Sequence, residues 1–101
     1  MKIVNSKNGV PIRLPEERWI HITEEHSEMA GYYFDVLETI EKPEEIYEGK
    51  LGEMLAAKTI EPGKFIIAIY KEISDKDGFI ITSFFTKDID RIRRRKKIWP
   101  R

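Results

Sequence analysis

A chain of 101 residues supports one compact domain and excludes two-domain enzymes. At 41% hydrophobic and 36% charged, it can bury a core beneath an ionic surface, which neither a disordered nor a membrane-embedded composition allows. It has no cysteine, which excludes disulfides, thiolate nucleophiles, zinc fingers and iron–sulfur clusters, and its zero net charge hides an asymmetry: Arg91–Arg101 holds seven of the 18 basic residues and none of the 18 acidic ones.

The opening Met1-Lys2-Ile3-Val4-Asn5 lacks the apolar run of a signal peptide, and no stretch approaches the roughly 20 apolar residues of a membrane span, so a cytoplasmic location without a membrane partner is expected. Val10-Pro11-Ile12-Arg13-Leu14 alternates as a short strand after an Asn8-Gly9 turn, with Pro11 marking it as an edge strand. Pro15-Glu16-Glu17 then opens a helix to about His26, because proline lacks an N–H that the first turn would leave unpaired and carboxylates favour the positive end of the helix dipole. On a helical wheel Trp19, Ile22, His26 and Met29 form an inward stripe, whereas His21 falls opposite, among Glu17, Glu24 and Glu25. Gly31 breaks the helix, and a second runs from Tyr32 to Ile40, stopped by Lys42-Pro43.

Beyond Pro43 the period becomes that of strands: Glu45 to Glu48, Leu51 to Ile60, Lys64 to Ile73 and Gly78 to Thr86, with turns at Glu61-Pro62-Gly63 and Ser74–Gly78. The nearly continuous apolar runs of the last two predict central strands covered on both faces. The element order predicts an α+β fold, with two N-terminal helices packed on a three- to four-stranded antiparallel sheet. Residues 1–90 are expected to form the domain and residues 91–101 a basic C-terminal arm, which either grips phosphate or folds back onto the acidic body.

The sequence contains no P-loop, dinucleotide fingerprint, His-Glu-x-x-His or nucleophile elbow. His21 and His26 are five residues apart, about 140° around a regular helix, so one helix cannot present both to a metal, and neither metal nor cofactor is expected. Polar residues on otherwise apolar elements are left to consider: His26, Lys58, Thr82, Ser83 and Thr86.

Arg18-Trp19-x-His21-Ile22, His26-x-Glu28, Pro43-x-x-Ile46-Tyr47 and Asp77-Gly78-Phe79-Ile80-Ile81-Thr82-Ser83-Phe84-Phe85-Thr86 together resemble the barnase/EndoU/colicin/RelE-like (BECR) nucleases, in particular their phage-associated and prokaryotic branch. The likeness runs from about Val10 to Trp99, with Ser27 where the pattern often has proline and Ser83 where it often has alanine. It implies two helices on an antiparallel sheet and a metal-independent, toxin-like endoribonuclease, in which the RNA 2'-hydroxyl attacks the adjacent phosphorus. For that chemistry His21 and His26 are the acid/base candidates, Lys58 the stabiliser of the phosphorane, and Thr82 and Thr86 the phosphate hydrogen-bond donors. Tyr47 or Tyr70 would stack a base, and Arg91, Arg93, Arg94, Arg95, Lys96 and Lys97 would bind the RNA backbone. The expected partners are RNA and an antitoxin protein, and a homodimer paired through the Ile-rich strands is a further option. The competing expectation is a non-catalytic RNA- or protein-binding module on the same fold.

Overall fold

The Ile- and Phe-rich runs between Lys64 and Thr86 become the two longest strands, and the remaining elements are arranged about them. In the computed structural model, which describes residues 2–101, the order is β1 (Lys2–Asn5), β2 (Pro11–Leu14), α1 (Glu16–Glu25), a 3-10 turn (Ser27–Met29), α2 (Tyr33–Glu41), β3 (Glu45–Glu48), β4 (Met54–Glu61), β5 (Lys64–Glu72), β6 (Gly78–Thr86), α3 (Asp90–Arg93) and β7 (Lys97–Trp99). The strands form one sheet in the order β1-β2-β6-β5-β4-β3-β7. All neighbours are antiparallel except β2 and β6, which run parallel and pair only through Ile12–Gly78 and Arg13–Phe79.

Alternation along β5 sends side chains to both faces, and each face carries a core. Ile66, Ala68 and Tyr70 join Ile12, Leu14, Ile46, Ala56 and Ile80 beneath α1 and α2, which contribute Ile22, Val36, Leu37 and Ile40. Ile67 joins Tyr47, Leu55 and Ala57 on the other face, where Ile89 and Ile92 at α3 cover them. The sheet curls around the first core: Lys7, in the β1–β2 turn, lies 4.7 Å over the ring of Trp99 on the opposite edge strand.

The parallel junction is tight. A Cβ on Gly78 would stand 2.6 Å from the Lys71 carbonyl oxygen and 2.5 Å from Ile12 Cδ1, so only glycine lets β2 approach there. Arg13 clamps the junction from outside, donating from Nε and Nη2 to the two carboxylate oxygens of Asp77 at 2.9 and 3.0 Å. Hydrogen bonding to Arg13 holds the Asp77 carboxyl below its ordinary value. Beyond Phe79, β2 diverges from β6, and α1 and the 3-10 turn lie against that stretch on the side opposite β5.

This architecture corrects the expected two helices on a three- to four-stranded antiparallel sheet. The sheet has seven strands and is mixed, and a third helix follows it. β1 and β7 are too short to carry a pattern of their own, and pairing to a neighbour makes them strands. β2 is not an edge strand either; Pro11 is tolerated because it stands first in the strand, opposite Asn5.

The basic tail is not an arm. Ile92 is buried, Ile98 and Trp99 pack against the first core, β7 pairs with β3, and Arg93 donates to both oxygens of Glu45 at 3.0 and 3.3 Å. The charge run therefore contains the apolar residues that fasten it. Of the Ile-rich strands, β5 lies between β4 and β6, and the outer side of β6 beyond Phe79 faces α1 and the 3-10 turn. Met1, where the domain was expected to begin, is outside the described residues.

Two substitutions test the packing. Gly78→Ala should cost about 1–3 kcal/mol in denaturant unfolding, because the added methyl meets backbone. Tyr70→Phe should cost no stability, since the Tyr70 hydroxyl is buried without a hydrogen-bond partner among the described residues and its removal relieves an unsatisfied group.

The tail anchor should be sensitive to acid. Burial works to raise the Glu45 carboxyl, but hydrogen bonds from Arg93 and Tyr47 outweigh it and hold the group below its ordinary value. A depressed carboxylate contributes stability that is complete above its unfolded pKa, about 4.3, and is lost as pH falls through the lower folded one. Fluorescence of Trp99 in a Trp19→Phe background should report loosening of β7 over that acid range, and Glu45→Gln should show a looser β7 already at neutral pH with a flatter acid response.

Candidate functional site

The end of α1 decides whether the two histidines can share a site. An unbroken helix would hold them about 140° apart. The helix instead stops at Glu25, and His26 leaves helical geometry at φ −130° and ψ 77° as the chain enters the 3-10 turn. That departure turns the His26 ring onto the sheet, where it lies 5.8 Å from the ring of Phe84 on β6. His21, Arg18 and Ile22 of α1, His26, Glu25, and Ile81 and Thr82 of β6 then line one cleft of about 240 Å³.

His21 is exposed, and its Nε2 lies 2.7 Å from Glu25 Oε1, one helical turn on. His26 is half-buried, with Nδ1 3.9 Å from Glu28, too far for a hydrogen bond. Arg18 is partly buried and forms no ion pair among the described residues. It lines a second hollow of about 370 Å³ with Arg13, Glu17, His21 and Phe79, so Arg18 and His21 border both depressions.

β6 carries this site onto the face of the sheet that α2 does not cover. Thr82, Phe84 and Thr86 pair with Ile69, Ile67 and Phe65, all of which belong to or pack on the second core, so the three project to that face. Ser83 points the other way, buried, and donates from Oγ to the Ile67 carbonyl at 2.7 Å. Thr86 lines a separate cleft of about 340 Å³ with Leu55, Ile69, Phe84, Asp88, Arg91, Ile92 and Arg95. Its Oγ1 accepts from the Asp88 N–H at 3.0 Å.

Of the acid/base and phosphate candidates, the structure brings His21, His26 and Thr82 together and sets Thr86 further along the same strand face. Lys58 is elsewhere. It pairs across the sheet with Ile66, on the first-core face, and its ammonium meets Glu38 of α2. The expected base-stacking tyrosines are also unsuited. Tyr47 is buried and donates its hydroxyl to Glu45 at 3.1 Å, and Tyr70 is fully buried in the first core, where burial and the charge of Glu72 push its phenol far above the ordinary value.

The basic residues divide in the same way. Arg91 and Arg95 line the Thr86 cleft, Arg93 is engaged by Glu45, Lys97 sits in β7 opposite Tyr47, and Arg94 and Lys96 are exposed and line neither cleft. Among the described residues no group of three or more histidine or carboxylate side chains is placed to hold a metal ion, and no helix is long and apolar enough to cross a membrane. No protein-family model, curated protein or solved structure matches the chain.

Two residues of the site escaped the sequence reading although spacing could have found them. Arg18 is three residues from His21 and shares its helix face, and Phe84 falls midway between Thr82 and Thr86 on the same side of a strand. The contact between His26 and Phe84 had no such signal, because it depends on where the helix ends.

Proposed function

We propose that the protein is a metal-independent endoribonuclease acting in the cytoplasm, with its reacting centre in the cleft between the end of α1 and β6. The observation that carries this reading is the convergence of His21, His26, Arg18 and Thr82 around one hollow. Cleavage of RNA through its own 2'-hydroxyl requires a base, an acid and a cation beside the phosphate, and these residue types supply all three.

Their roles follow from their surroundings. Glu25 takes the Nε2 side of His21, which leaves Nδ1 to accept the proton of the 2'-hydroxyl as the oxygen attacks phosphorus. His26, held against Phe84, then gives a proton to the departing 5'-oxygen, so the P–O5' bond breaks with no charge left on the leaving group. Arg18 and the Thr82 hydroxyl meet the non-bridging oxygens as negative charge grows on them. The products are a 2',3'-cyclic phosphate and a 5'-hydroxyl. The unpaired Arg18 takes the place the sequence alone gave to Lys58, whose ammonium is held by Glu38.

The test is incubation of the purified protein, with chelator, with a mixed-sequence RNA and with the same sequence as DNA. RNA alone should be cut, leaving cyclic-phosphate ends. His21→Ala and His26→Ala should each slow cleavage about 100- to 10,000-fold, Arg18→Ala about 100- to 1,000-fold, and Lys58→Ala should leave it unchanged, all at unaltered melting temperature. RNA left intact by the wild-type protein would sink the reading, and retention of that RNA would favour a non-catalytic binding module.

A further inference from the structure

The second face of the sheet holds more than the reacting centre needs. From the His21–His26 cleft, β6 presents Phe84 and then Thr86, and α3 with the turn that follows it brings Arg91 and Arg95 to the same place. Thr82 and Thr86 are four residues apart on one strand face, about 13 Å at the roughly 3.3 Å rise of a strand. That is too far for a single phosphate to touch both. We infer that this face is a track for single-stranded RNA: one phosphate sits in the histidine cleft, a base stacks on Phe84, and a second phosphate is held by Arg91, Arg95 and the Thr86 hydroxyl.

Three observations carry the inference, which rests on the nuclease reading for the phosphate in the cleft. First, Arg91 and Arg95 form no ion pair among the described residues, although the chain has as many acids as bases and Arg93, between them in sequence, is held by Glu45. The carboxylate of Asp88 shares their cleft, one acid against two guanidinium groups. Second, Phe84 is only partly buried and already has one ring, His26, against it, leaving an aromatic surface between two phosphate-binding ends. Third, the spacing alternates cation and hydroxyl, aromatic, then cation and hydroxyl, which is how single strands are held, since bases stack on aromatics while basic groups follow the backbone. A double helix keeps its bases stacked on one another and would have no use for Phe84.

The track also makes a selective claim about the basic tail. The charge run as a whole would bind phosphate without regard to position, whereas the fold turns only Arg91 and Arg95 into the cleft beside Thr86. Pairs of substitutions that remove the same charge therefore separate a site from a diffuse field.

The experiment measures binding of a fluorescent single-stranded DNA oligonucleotide of about twelve nucleotides, which lacks the 2'-hydroxyl and stays uncut, across a salt series. Arg91→Ala/Arg95→Ala should weaken binding at least about tenfold and lower the magnitude of the salt slope by about 1 or more. Arg94→Ala/Lys96→Ala should leave both close to wild type, and Phe84→Leu, which keeps the core filled, should weaken binding about tenfold with little change in salt slope. Equal losses from the two double variants, or no binding by the wild-type chain, would overturn the track. The two readings fail separately: RNA cleavage with no dependence on Arg91 and Arg95 ends the track and spares the nuclease, whereas selective binding without cleavage of RNA does the reverse.

Discussion

β2 joins β6 over only two residue pairs, in parallel, and that brevity governs the rest of the molecule. Gly78 allows the approach, because any side chain there would enter the Lys71 carbonyl, and the Arg13–Asp77 pair clasps it from the solvent side. A longer junction would have sealed β6 along its length. The short one leaves β6 from Ile80 onward paired with β5 alone, and on its other side α1 and the 3-10 turn occupy the place where a second strand would lie. Residues of a helix end and of a strand face can then meet at one rim of the sheet, which is where Arg18, His21, His26 and Thr82 are found.

The same packing explains why the two faces differ. α1 and α2 cover the first core, which holds most of the large buried side chains, among them Tyr70, Ile12, Leu14, Ile22 and Ile40. The second face has only the short α3 over it, and Ile69, Phe84 and Thr86 stay partly open beside Arg91 and Arg95. Glu45 takes Arg93, and its neighbours Arg91 and Arg95 line the cleft on the open face with Asp88.

Corrections to the sequence reading share one physical origin. Lys58 looked like a polar residue stranded on an apolar strand, yet its register opposite Ile66 turns it to the helix face, where Glu38 meets it. Tyr47 and Tyr70 were expected to stack a base, a role that needs an open ring face. Pairing on both sides buries them. The tail looked like an arm because its charges outnumber its apolar residues, but Ile92, Ile98 and Trp99 are spaced to reach the two cores once β3 offers an open edge. In each case the deciding contact is with a residue far away in the chain.

The sequence by itself determined the two N-terminal helices, the central strands and their turns, because these depend on local rules: proline and acids at a helix start, period 2 in a strand, glycine and proline at a reversal. It also excluded thiolate chemistry and disulfides, since the chain has no cysteine. What only the tertiary structure decided is the number of strands, the parallel junction, the fate of the tail and the company each histidine keeps. Short strands have no stability apart from their neighbours, and a side chain's role depends on which face a long-range pairing gives it. The setting of His26 is the clearest instance: the sequence ends the helix near that residue, but its ring finds Phe84 only because β6, 58 residues on, runs past the helix end.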